Sequence, residues 1–165
     1  MTNRYSAAFA AVAVSAAQDL FELVAPSDCR VAIEEIEIGQ YSDFTDVADE
    51  ILSLLVMRGH TTTGSGGAAV TPGAFNPNLP ASGVTVARNN TTVATAGSPV
   101  TLLATAFNIR AGFIWRGPMQ RPWETLESFE KRRLIILPST RLVVRTTAPI
   151  DELTMNGTIQ FEELR

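Results

Sequence analysis

Three residue types are nearly missing from this chain, and each scarcity closes off some chemistry. Cys29 is the single cysteine in 165 residues, so no intrachain disulfide can form and the fold must stand on packing. His60 is the single histidine, which excludes histidine-rich metal centres and most acid–base pairs built on imidazole. Lys131 is the single lysine, beside twelve arginines. Arginine is the better partner for desolvated, bidentate contacts with carboxylates, which suits interfaces, although genome base composition produces the same bias. Long apolar runs are lacking too. None approaches the roughly 18 residues that a membrane-spanning helix needs. A sequence pI near 5.0 argues against a generic nucleic-acid binder, since such domains are basic as a rule.

Carboxylates are missing from one region altogether. No Asp or Glu lies between Ile51 and Trp123, whereas the first fifty residues hold Asp19, Glu22, Asp28, Glu34, Glu35, Glu37, Asp43, Asp46, Asp49 and Glu50 against only Arg4 and Arg30. The middle contributes Arg58, Arg88, Arg110, Arg116 and Arg121. Two readings follow. Charge sorted in this way makes a chain self-complementary, one copy's acidic surface facing another's basic surface, as in an assembly component. Alternatively, the sorting dissolves once strands interleave in space.

What is present reads as all-β. The length suits one domain with a real core, expected to span residues 1–165. Strand composition between turn residues is expected at Tyr5–Val14, Leu20–Val24, Arg30–Ile38, Ile51–Met57, Val84–Ala87, Val100–Ile109, Phe113–Arg116, Arg133–Leu137, Arg141–Thr146 and Thr158–Leu164. The stretch Ala7–Ala17 after Arg4 has the outline of a signal peptide, but it contains no leucine and is mostly alanine; a strand is expected there. In Arg30–Ile38 the apolar alternation changes phase at Glu34-Glu35, the signature of a β-bulge. Asn156-Gly157 is expected at the centre of a hairpin turn. Eight or more such strands point to a two-sheet antiparallel sandwich, with a jelly roll expected, carrying long inserted loops. Helix is expected only as a turn or two in Thr45–Leu55 and Trp123–Phe129.

Two segments do not fit a compact core. Thr61–Gly83 is uncharged, has no periodicity, and contains Gly64, Gly66, Gly67, Gly73 and Gly83 with Pro72, Pro77 and Pro80. Loops beyond about 12–15 residues are uncommon unless functional or disordered. Val70, Phe75 and Leu79 are too few to anchor it, so neighbouring chains are expected to hold it. The second arm, Gly112–Glu124, gathers Trp115 and Trp123 beside Arg116 and Arg121, the residue types enriched at interface hot spots. Trp can equally cap the open end of a sandwich. Candidate interface residues are therefore Phe75, Leu79, Arg110, Trp115, Arg116, Arg121 and Trp123, with the arginines facing acidic surface on a neighbour. Removing Thr61–Gly83 is expected to spare folding and to abolish binding.

The catalytic inventory is thin. His60, at a strand end, is expected to be structural. Cys29 sits in a turn with nothing to lower its pKa. No G-x-S-x-G elbow appears. Glu34 and Glu35 point to opposite faces of a strand and do not make a glycosidase pair. Asp43, Asp46 and Asp49 lack the spacing and glycine of an EF-hand calcium loop. Gly64-Ser65-Gly66-Gly67 lacks the Lys-Ser/Thr and following helix of a phosphate-binding loop. No catalytic, cofactor or metal site is expected. A single histidine argues against a cupin-like enzyme.

The texture of the chain resembles small virion proteins of tailed bacteriophages. The resemblance is carried by Tyr5–Val14 running into Ala16-Ala17-Gln18-Asp19-Leu20-Phe21-Glu22-Leu23, by Ile36-Glu37-Ile38-Gly39-Gln40, by Phe107-Asn108-Ile109-Arg110-Ala111-Gly112-Phe113, and by Leu142-Val143-Val144-Arg145 through Asn156-Gly157-Thr158-Ile159-Gln160-Phe161-Glu162-Glu163. It covers most of the chain outside Thr61–Gly83. It implies a jelly-roll or related sandwich that decorates or cements the capsid surface, often as a homotrimer near capsomer junctions. The partner implied is the major capsid protein, with no nucleic acid, membrane or cofactor, and synthesis in the host cytoplasm. The alternative is a head-fibre, neck or tail component that binds a receptor or carbohydrate through exposed aromatics.

Overall fold

The computed structural model of the chain describes residues 3–40 and 50–165. Asp43, Asp46 and Asp49, and residues 45–49 of the helix expected over Thr45–Leu55, lie outside the described residues; Ile51–Leu55 belong to a strand. The strands are β1 (Asn3–Val14), β2 (Gln18–Val24), β3 (Arg30–Gln40), β4 (Ile51–Arg58), β5 (Ala68–Val70), β6 (Gly73–Ala74), β7 (Thr85–Asn90), β8 (Val100–Asn108), β9 (Phe113–Arg116), β10 (Leu134–Ile136), β11 (Arg141–Thr146) and β12 (Leu153–Leu164). One helix, α1 (Leu126–Arg132), starts where the Thr125 hydroxyl accepts from the Ser128 N–H at 3.2 Å.

Two antiparallel sheets face each other. The first runs β10-β3-β12-β1-β6, with β9 also paired to β3; the second runs β5-β7-β2-β11-β4-β8. The chain therefore changes sheet at every step from β1 to β4, and again from β8 to β9 and from β10 through β12. Pro138-Ser139-Thr140 makes one of these crossings: β10 pairs with β3, and β11 pairs with β2 and β4. The inward positions of both sheets form one core, where Phe9 of the first sheet meets Phe21 of the second at 5.2 Å between ring centroids.

Bulges preserve the inward pattern. In β3 the pairing with β12 slips at Glu34, so Val31 and Ile33 on one side of it and Ile36 and Ile38 on the other all face the core. The phase change at Glu34-Glu35 locates this bulge. In β1 a second slip between Phe9 and Val12, with Ala11 at φ 55°, returns Val12 and Val14 to the core side.

The turn expected at Asn156-Gly157 does not exist, because both residues lie inside β12. Each answers a neighbour in β1. The Asn156 side-chain oxygen accepts from the Ala11 N–H at 2.9 Å, which satisfies the bulge. At Gly157 a Cβ would stand 2.4 Å from the Phe9 ring, so glycine makes room for a core aromatic.

Candidate interaction surface

Thr61–Gly83 is held by its own chain. Its anchors within the chain go well beyond Val70, Phe75 and Leu79. Its central residues form β5, which extends the second sheet beyond β7, and β6, which extends the first beyond β1. Before β5, Thr62 pairs with Thr95 and Ser65 with Thr92, so residues 61–66 and 92–95 make a flap. Each end of the arm meets a buried carboxylate. Gly64 N–H donates to Glu22 Oε2 at 2.9 Å, and Gly83 N–H and Ser82 Oγ both donate to Glu163 Oε1 at 2.8 Å. The glycine content reflects close approach: a Cβ at Gly67 would stand 2.1 Å from the Arg88 carbonyl oxygen.

Beneath the flap lies a buried ionic layer. Asp19 and Glu22 are fully desolvated on β2. Asp19 accepts from Arg145 Nε at 2.5 Å and from Ala94 N–H at 2.6 Å; Glu22 accepts from Arg141 at 2.9 Å and from Asn90 Nδ2 at 3.1 Å. His60 is buried beside them, and its pKa is pushed down by burial first and then by the Arg145 charge. Cys29 is buried as well; burial, then the Glu163 charge, pushes its thiol pKa up, away from the reactive thiolate.

Some of the sorted charge is paired within the chain. Asp19–Arg145, Glu22–Arg141, Glu34–Arg133, Glu35–Arg116 and Asp28–Arg165 join the acidic first third to arginines from later in the same chain. Four of these arginines come from the C-terminal part and one, Arg116, from the carboxylate-free middle, so part of the sorted charge is consumed within one molecule.

The second arm behaves differently. β9 adds to β3 and places Trp115 half-buried against the core, so this tryptophan closes a sandwich end. Arg116 pairs with Glu35 at 3.3 Å. Beyond it, residues 117–133 form a lobe pinned at two points. Arg132 grips Glu124 at 2.5 Å, with Glu124 also accepting from the Arg121 N–H and the Ser128 hydroxyl. At its foot Arg133, 6% exposed as a side chain, meets Glu34, Glu130 and Glu162. The lobe is fixed, yet its apolar side chains are not covered. Met119 is 86% exposed, Trp123 79% and Leu126 64%. The Arg121 guanidinium has no partner among the described residues.

The seven candidate residues thus separate. Trp123 and Arg121 share the lobe, with Trp115 and Arg116 on the strand leading into it. Phe75 and Leu79 follow β6 at the opposite edge of the first sheet, four strand spacings or roughly 19 Å away. There Phe75 is exposed under the Arg4 guanidinium, 5.3 Å from the ring centroid, and Leu79 is half-buried. Arg110 sits exposed in the turn after β8, its N–H bonded to Asn108 Oδ1. Leu126 escaped sequence reasoning, because a leucine in a short helix ordinarily signals burial.

No family model and no curated protein matches the chain. Among solved structures, the capsid protein VP17 of bacteriophage P23-77 aligns at 10% identity over 96% of this chain and 88% of that one, with a TM-score of 0.19. The VP16–VP17 complex of the two major capsid proteins of the same phage aligns at 9% identity over 95% and 89%, with a TM-score of 0.14. At such scores the likeness carries no argument for fold or role.

Proposed function

We propose that this chain is a non-catalytic structural protein of a bacteriophage virion, of the capsid decoration or cement kind, which binds major capsid subunits through the 117–133 lobe. The observation that carries the binding role is the lobe itself. Met119, Trp123 and Leu126 stand uncovered on a segment folded on itself by the Arg132–Glu124 pair and tied to the sheet through Arg133, an arrangement that lowers the ordering cost when a partner buries them. The virion setting comes from the sequence resemblance. Strand order is compatible with it: leaving β5, β6, β7 and β10 aside, the sheets run β1-β12-β3-β9 and β2-β11-β4-β8, an order that a jelly roll wound from two Greek keys also has. That architecture also serves lectins and enzymes, so the site must carry the role. A cement protein acts by binding energy alone, stabilising the assembled shell by mass action.

The receptor- or carbohydrate-binding reading wants Trp115 and Trp123 flanking one groove. Trp115 is half-buried against the core instead. The deciding experiment is electron cryomicroscopy of the native particle. Density for this sandwich on the head exterior, with the Trp123 lobe touching several shell subunits in a three-fold arrangement, is the expected result. Placement in the tail or neck, or a lobe facing solvent, would sink the proposal.

A further inference from the structure

Arg88 occupies an unusual place in β7. Strand parity sets it in line with Val86, which is buried in the core, and opposite the buried Phe21 of β2. It is therefore an inward-facing cation. It is half-buried, and no hydrogen bond or ion pair holds its guanidinium among the described residues. It lines a groove of about 530 Å³ at the flank of the sandwich together with Ala8, Phe9, Ala10, Ala69, Val70 and Thr71, and it also borders the neighbouring hollow beside Val12, Ala13 and Gly67. No carboxylate lines the groove. A half-buried, unpaired cation is costly to leave alone, and an anionic partner removes that cost.

The walls of this groove are strand edges. β6 pairs with β1 only at Tyr5 and Ser6, and Phe75 N–H donates to the Arg4 carbonyl. Peptide groups of even-numbered residues in this part of β1 thus face the flank. Ala8 and Ala10 continue the series with both groups turned outward, and among the described residues no strand pairs with them there. Opposite, β5 is the last strand of the second sheet. Alanine on both walls leaves room for another backbone to approach. The chain itself uses this edge in the same way when β6 adds to it.

We propose that the groove between β1 and β5 is a docking site for an extended acidic segment of another protein chain. The segment forms backbone hydrogen bonds with Ala8 and Ala10 and sets a carboxylate against Arg88. The occupant is acidic because the groove offers one unpaired cation and no competing anion. This inference does not rest on the virion reading, since a strand can be captured here whatever particle the chain belongs to. The competing role for Arg88 is defensive, an inward charge that keeps the edge from pairing.

The test uses the full chain, isotopically labelled, and a capped hexapeptide of alternating valine and glutamate as probe. Its counterpart carries lysine in place of glutamate. Saturable shifts of the Ala8, Ala10 and Arg88 amides with the acidic peptide alone are expected. Arg88→Gln should weaken binding about tenfold. Ala8→Pro removes an N–H that faces the groove and should weaken it further. Absent saturation, equal binding of the lysine peptide, shifts centred elsewhere, or undiminished binding to Arg88→Gln would each overturn the proposal. So would an Arg88→Gln chain that self-associates while the parent ignores the peptide, the mark of a guard residue. Should Ala8→Pro fail to fold, the Arg88→Gln titration and the shift map decide alone.

Discussion

The flap over the second sheet and the lobe at residues 117–133 look alike in sequence, each short of regular periodicity and punctuated by glycine and proline. In space they are opposites. The flap covers buried charge: its backbone N–H groups end on Asp19 and Glu22, and its glycines let it lie against neighbouring backbone. Thr62 pairs with Thr95 and Ser65 with Thr92 across it, and the Thr63 hydroxyl accepts from Arg141. The lobe is pinned by arginine–carboxylate pairs but leaves Met119, Trp123 and Leu126 in water. A segment that satisfies itself is scaffold. A segment that folds on itself and still exposes apolar area is, on the proposed reading, the interface.

The sharpest way to break this contrast is to remove the anchor of the flap. Asp19→Ala takes the only carboxylate from Arg145, leaving it the Ala94 carbonyl, and strands the buried Ala94 N–H; a cost of about 3–5 kcal/mol in denaturant unfolding is expected. Deleting residues 61–83 should unfold the chain altogether, because it strips an edge strand from each sheet and bares Glu22. That reverses the expectation drawn from sequence. A deletion variant that folds normally would show the flap to be dispensable. A smaller strain comes from Gly67→Ala, whose Cβ would stand 2.1 Å from a backbone oxygen; about 1–3 kcal/mol is expected. Gly73→Ala, in the same arm with open space around it, is the control and should cost far less.

How much of this was legible follows from where the information resides. Alternation is a local signal, so the main strands and the bulge at Glu34 could be read from the residues themselves. Asn156-Gly157 misled because the same pair serves a turn and a tight crossing; only the Phe9 ring and the Ala11 bulge across the sheet distinguish them. The Thr61–Gly83 arm misled for a related reason. Its anchors are backbone groups and carboxylates more than forty residues away, which leave no periodicity of their own. Trp123 and Arg121 were found from residue type, and Phe75 and Leu79 were grouped with them only because sequence gives no distances. The parity of Arg88 stayed hidden because the strand expected at Val84–Ala87 ends before it.

The lobe side of the contrast is tested by substitutions that should do little to folding. Trp123→Ser and Met119→Ser remove exposed apolar surface and should shift stability by no more than about 0.5 kcal/mol. If the lobe is the contact surface, both variants should fold as the parent does and fail to enter particles. Loss of stability comparable to Asp19→Ala would instead make the lobe part of the scaffold.

The smallest effect expected is one of pH. The hydrogen bond from Arg132, followed in weight by the Arg121 N–H, holds the Glu124 pKa well below its ordinary 4.5, at about 2. A carboxylate whose pKa is depressed in the folded state adds stability above its unfolded pKa, and that contribution fades as pH falls from 4.5 toward 2. The lobe is therefore expected to keep its geometry from neutral pH down to about 4.5 and to loosen only in stronger acid, read through the fluorescence of Trp123 against the half-buried Trp115. Because the pair lies at the surface, 1 M salt should weaken it by screening, whereas the buried Asp19–Arg145 pair should respond far less. Glu124→Gln should erase the acid transition of the lobe and leave the flap untouched. A lobe transition that survives in Glu124→Gln would mean that Arg133 and its three carboxylates, rather than Arg132, hold the lobe in place.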